Sequence, residues 1–360
     1  MPIECGRTKA AEAGDMRALR IAATPHVEHY TLGLYGELAS RARITLVTLR
    51  RFDLPVDQVV TPRVPLPRMR TLLRDLALRS ISGSVNVVHA NCSAEGMVVP
   101  QKDKLVVTEH GFPDPSVVEE SSRWFYVKER ASLLKLAELG VPIVAISNFT
   151  AKELREKLGV TASAVIYHGV LDIFRAQAPR THPKRHIILW NSRLVRFKEP
   201  RVLLEAVEKL RGKASFSARL RGDGPLKREI KVLIERRGLS GTVSLSEPVP
   251  FRDLPSLYSS ATIYVHTCSR EPFGLAVLEA MASGLPVVVP KSGGAYEVAG
   301  SAALPFEPGD SSSLAEQLLA LMEDPELYEK MSERSIRRAG EFSWKRAAEE
   351  YLALYERVAR

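Results

Sequence analysis

Two glutamates, Glu271 and Glu279, stand eight residues apart in the string Glu-Pro-Phe-Gly-Leu-Ala-Val-Leu-Glu. The segment reads as a helix start. Ile263 to His266 before it is a buried strand that ends in a polar loop. Phe273-Gly274-Leu275 opens the helix, and Leu275, Leu278 and Ala282 fall on one apolar face. Gly284 supplies the stop and Pro286 forbids continuation. A helix N-terminus leaves N–H groups unpaired and carries partial positive charge, so it is a ready anion site. Gly274 lets a ligand approach the backbone closely. Glu271 falls in the loop before the helix, where it can face a cleft. Glu279 falls about a turn and a half inside, where a carboxylate can accept from a pair of ribose hydroxyls, as in dinucleotide sites. Any single glutamate is by default a solvated acid, favourable near a helix dipole. The weight here rests on the whole string.

The elements that must position this pair alternate along the chain. Short β-branched runs at 20–23, 44–47, 85–88, 104–107 and 142–146 are separated mostly by helical patterns. The second half repeats the scheme with runs at 186–190, 217–220, 243–245, 263–265 and 286–289. Strands alternating with helices predict βαβ units, parallel sheets and right-handed crossovers. The polar segment 175–185, with two prolines, reads as a linker between halves of domain size. The expectation is an α/β protein of two doubly wound domains facing across a cleft, with ligands outside the carboxyl ends of the strands.

From Glu271 to Gly284, and on through Ser292-Gly293-Gly294-Ala295-Tyr296-Glu297-Val298, the chain resembles the E-x7-E element of retaining glycosyltransferases of family 4, which have the GT-B fold. The resemblance covers nearly everything after the first strand. Asn191-Ser192-Arg193-Leu194 followed by Lys198 is similar to the family loop whose Arg and Lys bind the donor diphosphate. Gly222-Asp223-Gly224-Pro225 matches the family's G-D-G-P turn. Thr108-Glu109-His110-Gly111 resembles a loop whose histidine reaches the transferred sugar near its C6 hydroxyl. Glu247 to Phe251 stands where the family reads the nucleobase. Ser147-Asn148 and 167–174 resemble the closing elements of the first domain, with His168 where Asn is usual.

The resemblance thus implies catalytic roles for Glu271 and His110. It implies donor binding by Arg193, Lys198, Gly222, Asp223, Phe273, Gly274, Leu275 and Glu279. Two departures bear on geometry. Thr24 to Tyr30 lacks the family's Gly-Gly loop, so His26, Glu28 and His29 either line the acceptor site or are inert. Ser192 and Glu199 replace glycines. The expected division is a loose tail at 1–16, a Rossmann-like acceptor-side domain at 17–176 and a nucleotide-sugar domain at 177–342. A final helix at 343–360 is expected to cross back to the first domain.

The reaction implied is transfer of a hexose-type sugar from a UDP-, GDP- or ADP-sugar to a glycan, lipid-linked or small-molecule hydroxyl, with retention. No D-x-D string occurs, so no metal and no cofactor are expected. The competing readings are a GT-B sugar phosphorylase or epimerase, and a non-catalytic nucleotide-sugar-binding module.

The composition, 45% hydrophobic and 26% charged, is that of a globular protein. No apolar run reaches the roughly 18 residues of a membrane span. The start lacks a secretory pattern, and three scattered cysteines suit a reducing cytoplasm. The net charge of +9 is uneven: residues 41–79 hold nine arginines against three aspartates. An anionic partner is one reading of that stretch. Apolar positions 69, 72, 73, 76 and 77 predict an amphipathic basic helix, which either packs on its own sheet or lies on an anionic membrane surface. No recognition motif supports nucleic acid as a partner.

Overall fold

Parallel sheets form in both halves. The computed structural model describes residues 19–62, 64–111, 113 and 118–360; the expected tail at 1–16 lies outside these. The first sheet holds β1 (Arg20–Ala23), β2 (Arg43–Thr48), β3 (Asp57–Val60), β4 (Val87–Ala90), β5 (Leu105–Glu109), β6 (Ile143–Ala145) and β7 (Ala164–Val165). Their order is β3-β2-β1-β4-β5-β6-β7. The second holds β8 (His186–Asn191), β9 (Phe216–Arg221), β10 (Val243–Ser246), β11 (Ile263–Val265), β12 (Val287–Pro290) and β13 (Ala303–Phe306), in the order β10-β9-β8-β11-β12-β13. All pairings are parallel.

Helices fill the crossovers: α1 (Glu28–Leu38), α2 (Pro67–Ser82), α3 (Ser93–Met97), α4 (Glu120–Glu138), α5 (Asn148–Leu158), α6 (Pro200–Leu210) and α7 (Lys227–Arg236). They continue with α8 (Leu254–Ser259), α9 (Leu275–Ala282), α10 (Gly293–Ala299), α11 (Ser311–Glu323), α12 (Pro325–Ala339) and α13 (Trp344–Val358). A parallel sheet needs cover on both faces. On the first sheet, Leu78, Leu133, Leu136 and Leu154 from α2, α4 and α5 fill one side. Tyr30 and Leu34 of α1, with Tyr351 and Tyr355 of α13, fill the other. The last helix therefore packs on the first sheet. Its Trp344 lies so close to α1 that a Cβ on Gly33 would sit 2.2 Å from the indole Nε1.

Strand order reverses between β1 and β4, and again between β8 and β11. At such a reversal neighbouring crossovers depart to opposite faces and leave a crevice at the carboxyl ends. The loops after β1, β4, β8 and β11 open there.

Several expectations need correction. The sequence patterns do not announce β3, β7 and β13. The first is largely exposed and lacks alternation, the second is two residues long, and the third is an edge strand holding Pro305. Within the segment 175–185, Arg180 donates to the carbonyls of Tyr258, Ser259, Ala261 and Ser283. The helix near 68–79 exists as α2, with its expected apolar stripe split between core and surface. Met69, Leu72 and Leu76 are exposed, whereas Ala77 packs with the buried Leu78 against the core. Arg74 turns inward and pairs with the buried Glu95. Arg41, Arg43, Arg50 and Arg74 each meet a carboxylate, so the basic stretch is less of a single patch than its charge count implies. No helix of the described residues is long and apolar enough to cross a membrane.

Candidate active site

Glu271 ends the loop that leaves β11. Lys198, from the turn after β8, places its Nζ on Glu271 Oε2, and His266 Nε2 lies 2.9 Å from the same oxygen. Burial alone would raise the Glu271 carboxyl. Lys198 and His266 more than offset this and hold it well below the usual carboxylate range. The lysine is itself fixed by its backbone: Thr267 Oγ1 donates to Lys198 O at 2.6 Å and receives Trp190 Nε1 at 2.8 Å.

The turn that carries Lys198 depends on its neighbour. Glu199 adopts φ 52°, ψ 46°, the only non-glycine residue with positive φ among those described. A side chain costs about 1 kcal/mol there. The carboxylate offsets the cost by accepting from Ser269 Oγ at 2.5 Å, in the loop that leads to Glu271. The glutamate that replaces a glycine thus ties the two loops of the site together.

Gly274 precedes α9 with φ 94°, and a Cβ there would meet Ala295 Cβ at 3.0 Å. Its absence of a side chain serves the packing of α9 on α10 as well as ligand approach. The helix behind it is buried nearly all round, including Glu279 at 5% exposure. Glu279 Oε2 accepts from Tyr258 OH at 2.6 Å, and Oε1 lies 2.5 Å from His29 Nδ1 of α1.

Across the crevice, His110 follows β5. Its Nε2 lies 2.9 Å from Asn91 Oδ1. Asn91 Nδ2 already donates to Thr24 O and Tyr35 OH, so Oδ1 is the acceptor and His110 Nε2 must carry the proton. Burial, then the neighbouring imidazoles, push the His110 pKa well below its ordinary value. A neutral ring protonated at Nε2 leaves the Nδ1 lone pair to accept from a hydroxyl. The ring of His26 stacks on His110 at 3.7 Å and 15°. Desolvation within the cleft, with Arg193 opposite, lowers the His26 pKa to about 4. Arg193 and Lys198 both lie near the ring of Phe197.

The other expected residues are more dispersed. Gly222 lies against the Arg193 loop: a Cβ there would sit 1.9 Å from Ser192 O. Asp223 O accepts from Leu194 N at 2.8 Å, while its carboxylate turns outward to Lys227. Phe273 is buried against His168, with ring centroids 4.6 Å apart. Leu275 is half-buried at the start of α9. Phe273 therefore offers a ligand no more than its backbone.

Sequence reading passed over His266, Tyr258, Asn91 and Glu199 as site members. A histidine at the carboxyl end of β11 was a legible signal by position. Tyr258 was not, because only packing brings α8 beside α9. Among the described residues, His266, Cys268 and Glu271 form one trio whose ligating atoms lie within 4.8 Å of one another. Burial pushes the Cys268 thiol up to about 12, and Lys198 pairs with Glu271.

The chain resembles known proteins along most of its length. A family model described as Glycosyltransferase Family 4 matches residues 27–171, and one described as Glycosyl transferases group 1 matches 173–338. The O-antigen chain mannosyltransferase B of Escherichia coli is 33% identical over 124 residues, 34% of this chain and 32% of that protein. This alignment spans about a third of that relative's length, and a sucrose-phosphate synthase of Spinacia oleracea is covered over only 12% of its own. The MMP alpha-(1->4)-mannosyltransferase of Mycolicibacterium hassiacum is 27% identical over 332 residues, 83% of this chain and 77% of that one. Among solved structures, Anabaena HepE in complex with UDP and glucose superposes with a TM-score of 0.72 at 20% identity, covering 94% of this chain and 99% of that one.

Proposed function

We propose, from the premise that this chain belongs to the glycosyl transferases group 1 family with the GT-B fold, that it moves a hexose-type sugar from a nucleoside diphosphate to a hydroxyl acceptor. Transfer proceeds with retention and without a metal. The observation that carries this reading is the convergence of Arg193, Lys198 and Glu271 at the ends of β8 and β11, opposite His26 and His110. The mannosyltransferases among the relatives, and the neighbour solved with UDP and glucose, favour a hexose and a nucleoside diphosphate.

The chemistry follows from which charges meet. An arriving diphosphate competes for the ammonium of Lys198 and so frees Glu271 to accept from hydroxyls of the sugar. Glu271 remains ionised and favours positive charge developing at the anomeric carbon. Arg193 and Lys198 stabilise the diphosphate as the bond from anomeric carbon to phosphate oxygen breaks. The acceptor oxygen bonds to the same face, and its proton passes to the leaving phosphate oxygen. His110 Nδ1 accepts from a hydroxyl of the sugar, and Glu279 accepts from the ribose.

The acceptor is a glycan, lipid-linked or small-molecule hydroxyl, met in the cytoplasm. An anionic membrane surface is the second partner in this proposal. A panel of UDP-, GDP- and ADP-sugars, followed by nucleotide release with and without EDTA, tests the whole reading. One donor class is expected to turn over equally well in EDTA, and Lys198→Ala is expected to lower kcat/KM about 100-fold or more. Dependence on orthophosphate with no nucleotide released points instead to a phosphorylase. Binding without turnover, unchanged in Glu271→Ala, points to a binding module.

A further inference from the structure

Glu279 is reached from the wrong side of the cleft. Its carboxylate belongs to α9 of the second sheet's half, yet one oxygen is held by His29, which α1 carries in the first. Tyr258 holds the other oxygen, and the Glu279 side chain is 7% exposed. Two further hydroxyls have no path to this carboxylate while His29 stays in place.

The imidazole also occupies the space as a nucleoside would. Its face stacks on Phe174 at 5.3 Å and 9°, and Phe251 presents an edge at 6.0 Å. Phe251 ends the 247–251 loop. His29 thus offers the carboxylate a polar partner and the aromatic walls a flat ring.

Its polar hold is a single hydrogen bond, because His29 Nε2 is buried without a partner. The turn that carries it is packed: Tyr30 and Thr31 are buried, and Thr31 Oγ1 accepts from His26 N and donates to Val27 O.

We infer that His29 is part of the ribose site, where it competes with the nucleotide's ribose for Glu279 and so sets the affinity for the donor. This rests on the reading of Glu279 as the ribose ligand. Donor entry then exchanges one buried hydrogen bond for another, and the His29 ring must leave Glu279 before the ribose seats. Removing His29 removes the competitor and frees Glu279 Oε1, while Tyr258 still holds Oε2.

The test is calorimetric titration of wild type, His29→Ala, His29→Leu and Glu279→Gln with UDP, GDP and ADP and with their 2′,3′-dideoxy counterparts. His29→Leu keeps apolar volume against Phe174 should the alanine variant lose its fold. For the nucleotide that binds, the ratio of ribo to dideoxy affinity is expected to rise about ten-fold in the His29 variants, the scale of one hydrogen bond to a charged group. An unchanged or reduced ratio overturns the competition. Equal affinity for ribo and dideoxy forms in wild type, Glu279→Gln and both His29 variants overturns the ribose reading itself, whereas a ribo preference equal in wild type and the His29 variants but lost in Glu279→Gln overturns only the competition.

Discussion

Glu109 stands one residue before His110 and is nearly out of solvent. Its Oε1 accepts from Gly111 N at 2.9 Å. Burial raises the carboxyl to about 7; the Gly111 amide works against this and Glu129 adds to it. The sign for stability follows from proton counting. Between the ordinary carboxylate value and 7, the folded protein holds a proton that the unfolded chain has lost. Stability contributed by this group is therefore present at acid pH and falls as pH rises to about 7. Glu109→Gln keeps an acceptor for Gly111 and has no charge to bury. It is expected to be more stable than wild type at pH 7.5 by on the order of 2 kcal/mol, with the gap closing at pH 5 in thermal melts. A gap independent of pH would show that Glu109 ionises freely. Close by, the Asn91 amide fixes which nitrogen of His110 is free. That a histidine followed β5 was plain from the sequence; which nitrogen carries the proton is decided by an amide 19 residues earlier.

At the level of elements, a carboxylate of one half meets a helix start of the other. Glu297 of α10 accepts from Asn148 N at 2.8 Å and Phe149 N at 2.7 Å, the first amides of α5 across the crevice, and from Tyr167 OH. A carboxylate on a helix N-terminus satisfies unpaired amides and meets the positive end of the dipole. Ser147 Oγ caps the helix locally by accepting from Thr150 N, and Glu297 from the opposite half satisfies the two amides before it. Glu297→Gln can still accept one bond but loses the charge and the second acceptor. The expected result is a fall of about 1 kcal/mol in stability, together with a several-fold rise in donor KM. If KM holds while stability falls, the cap serves α5 alone. Glu297 was legible as part of the Gly293-Gly294 string. Its partner was not, since 148 and 297 are neighbours only because α5 and α10 pack end to flank.

Over the whole molecule, charge and exposed apolar surface coincide on the first sheet's half. Met69, Leu72 and Leu76 lie exposed along α2 beside the exposed Arg79, and Trp124, Phe125 and Val127 lie exposed on the first turns of α4. Right-handed crossovers place α2 and α4 on the same face of the sheet. An apolar ridge with basic flanks suits anionic lipid better than water. Co-sedimentation with vesicles containing anionic lipid is expected, weakening as salt rises and lost in the pair Leu72→Ser, Leu76→Ser. Binding that ignores lipid charge and salt argues against a membrane surface as the partner.

What the sequence determined by itself was local: the alternation of strand and helix, the loop-to-helix start at Gly274, and two carboxylates with a lysine and an arginine at strand ends. These follow from backbone preference and from the rule that ligands gather at carboxyl ends of parallel strands. The tertiary structure decided what each charge faces. It paired Lys198 with Glu271, turned Arg74 inward to Glu95, and set His29 on Glu279 from 250 residues away. The first two pairings depend on how loops and helices meet within one half and the third on how the two halves approach, and periodicity along a chain carries no information about either.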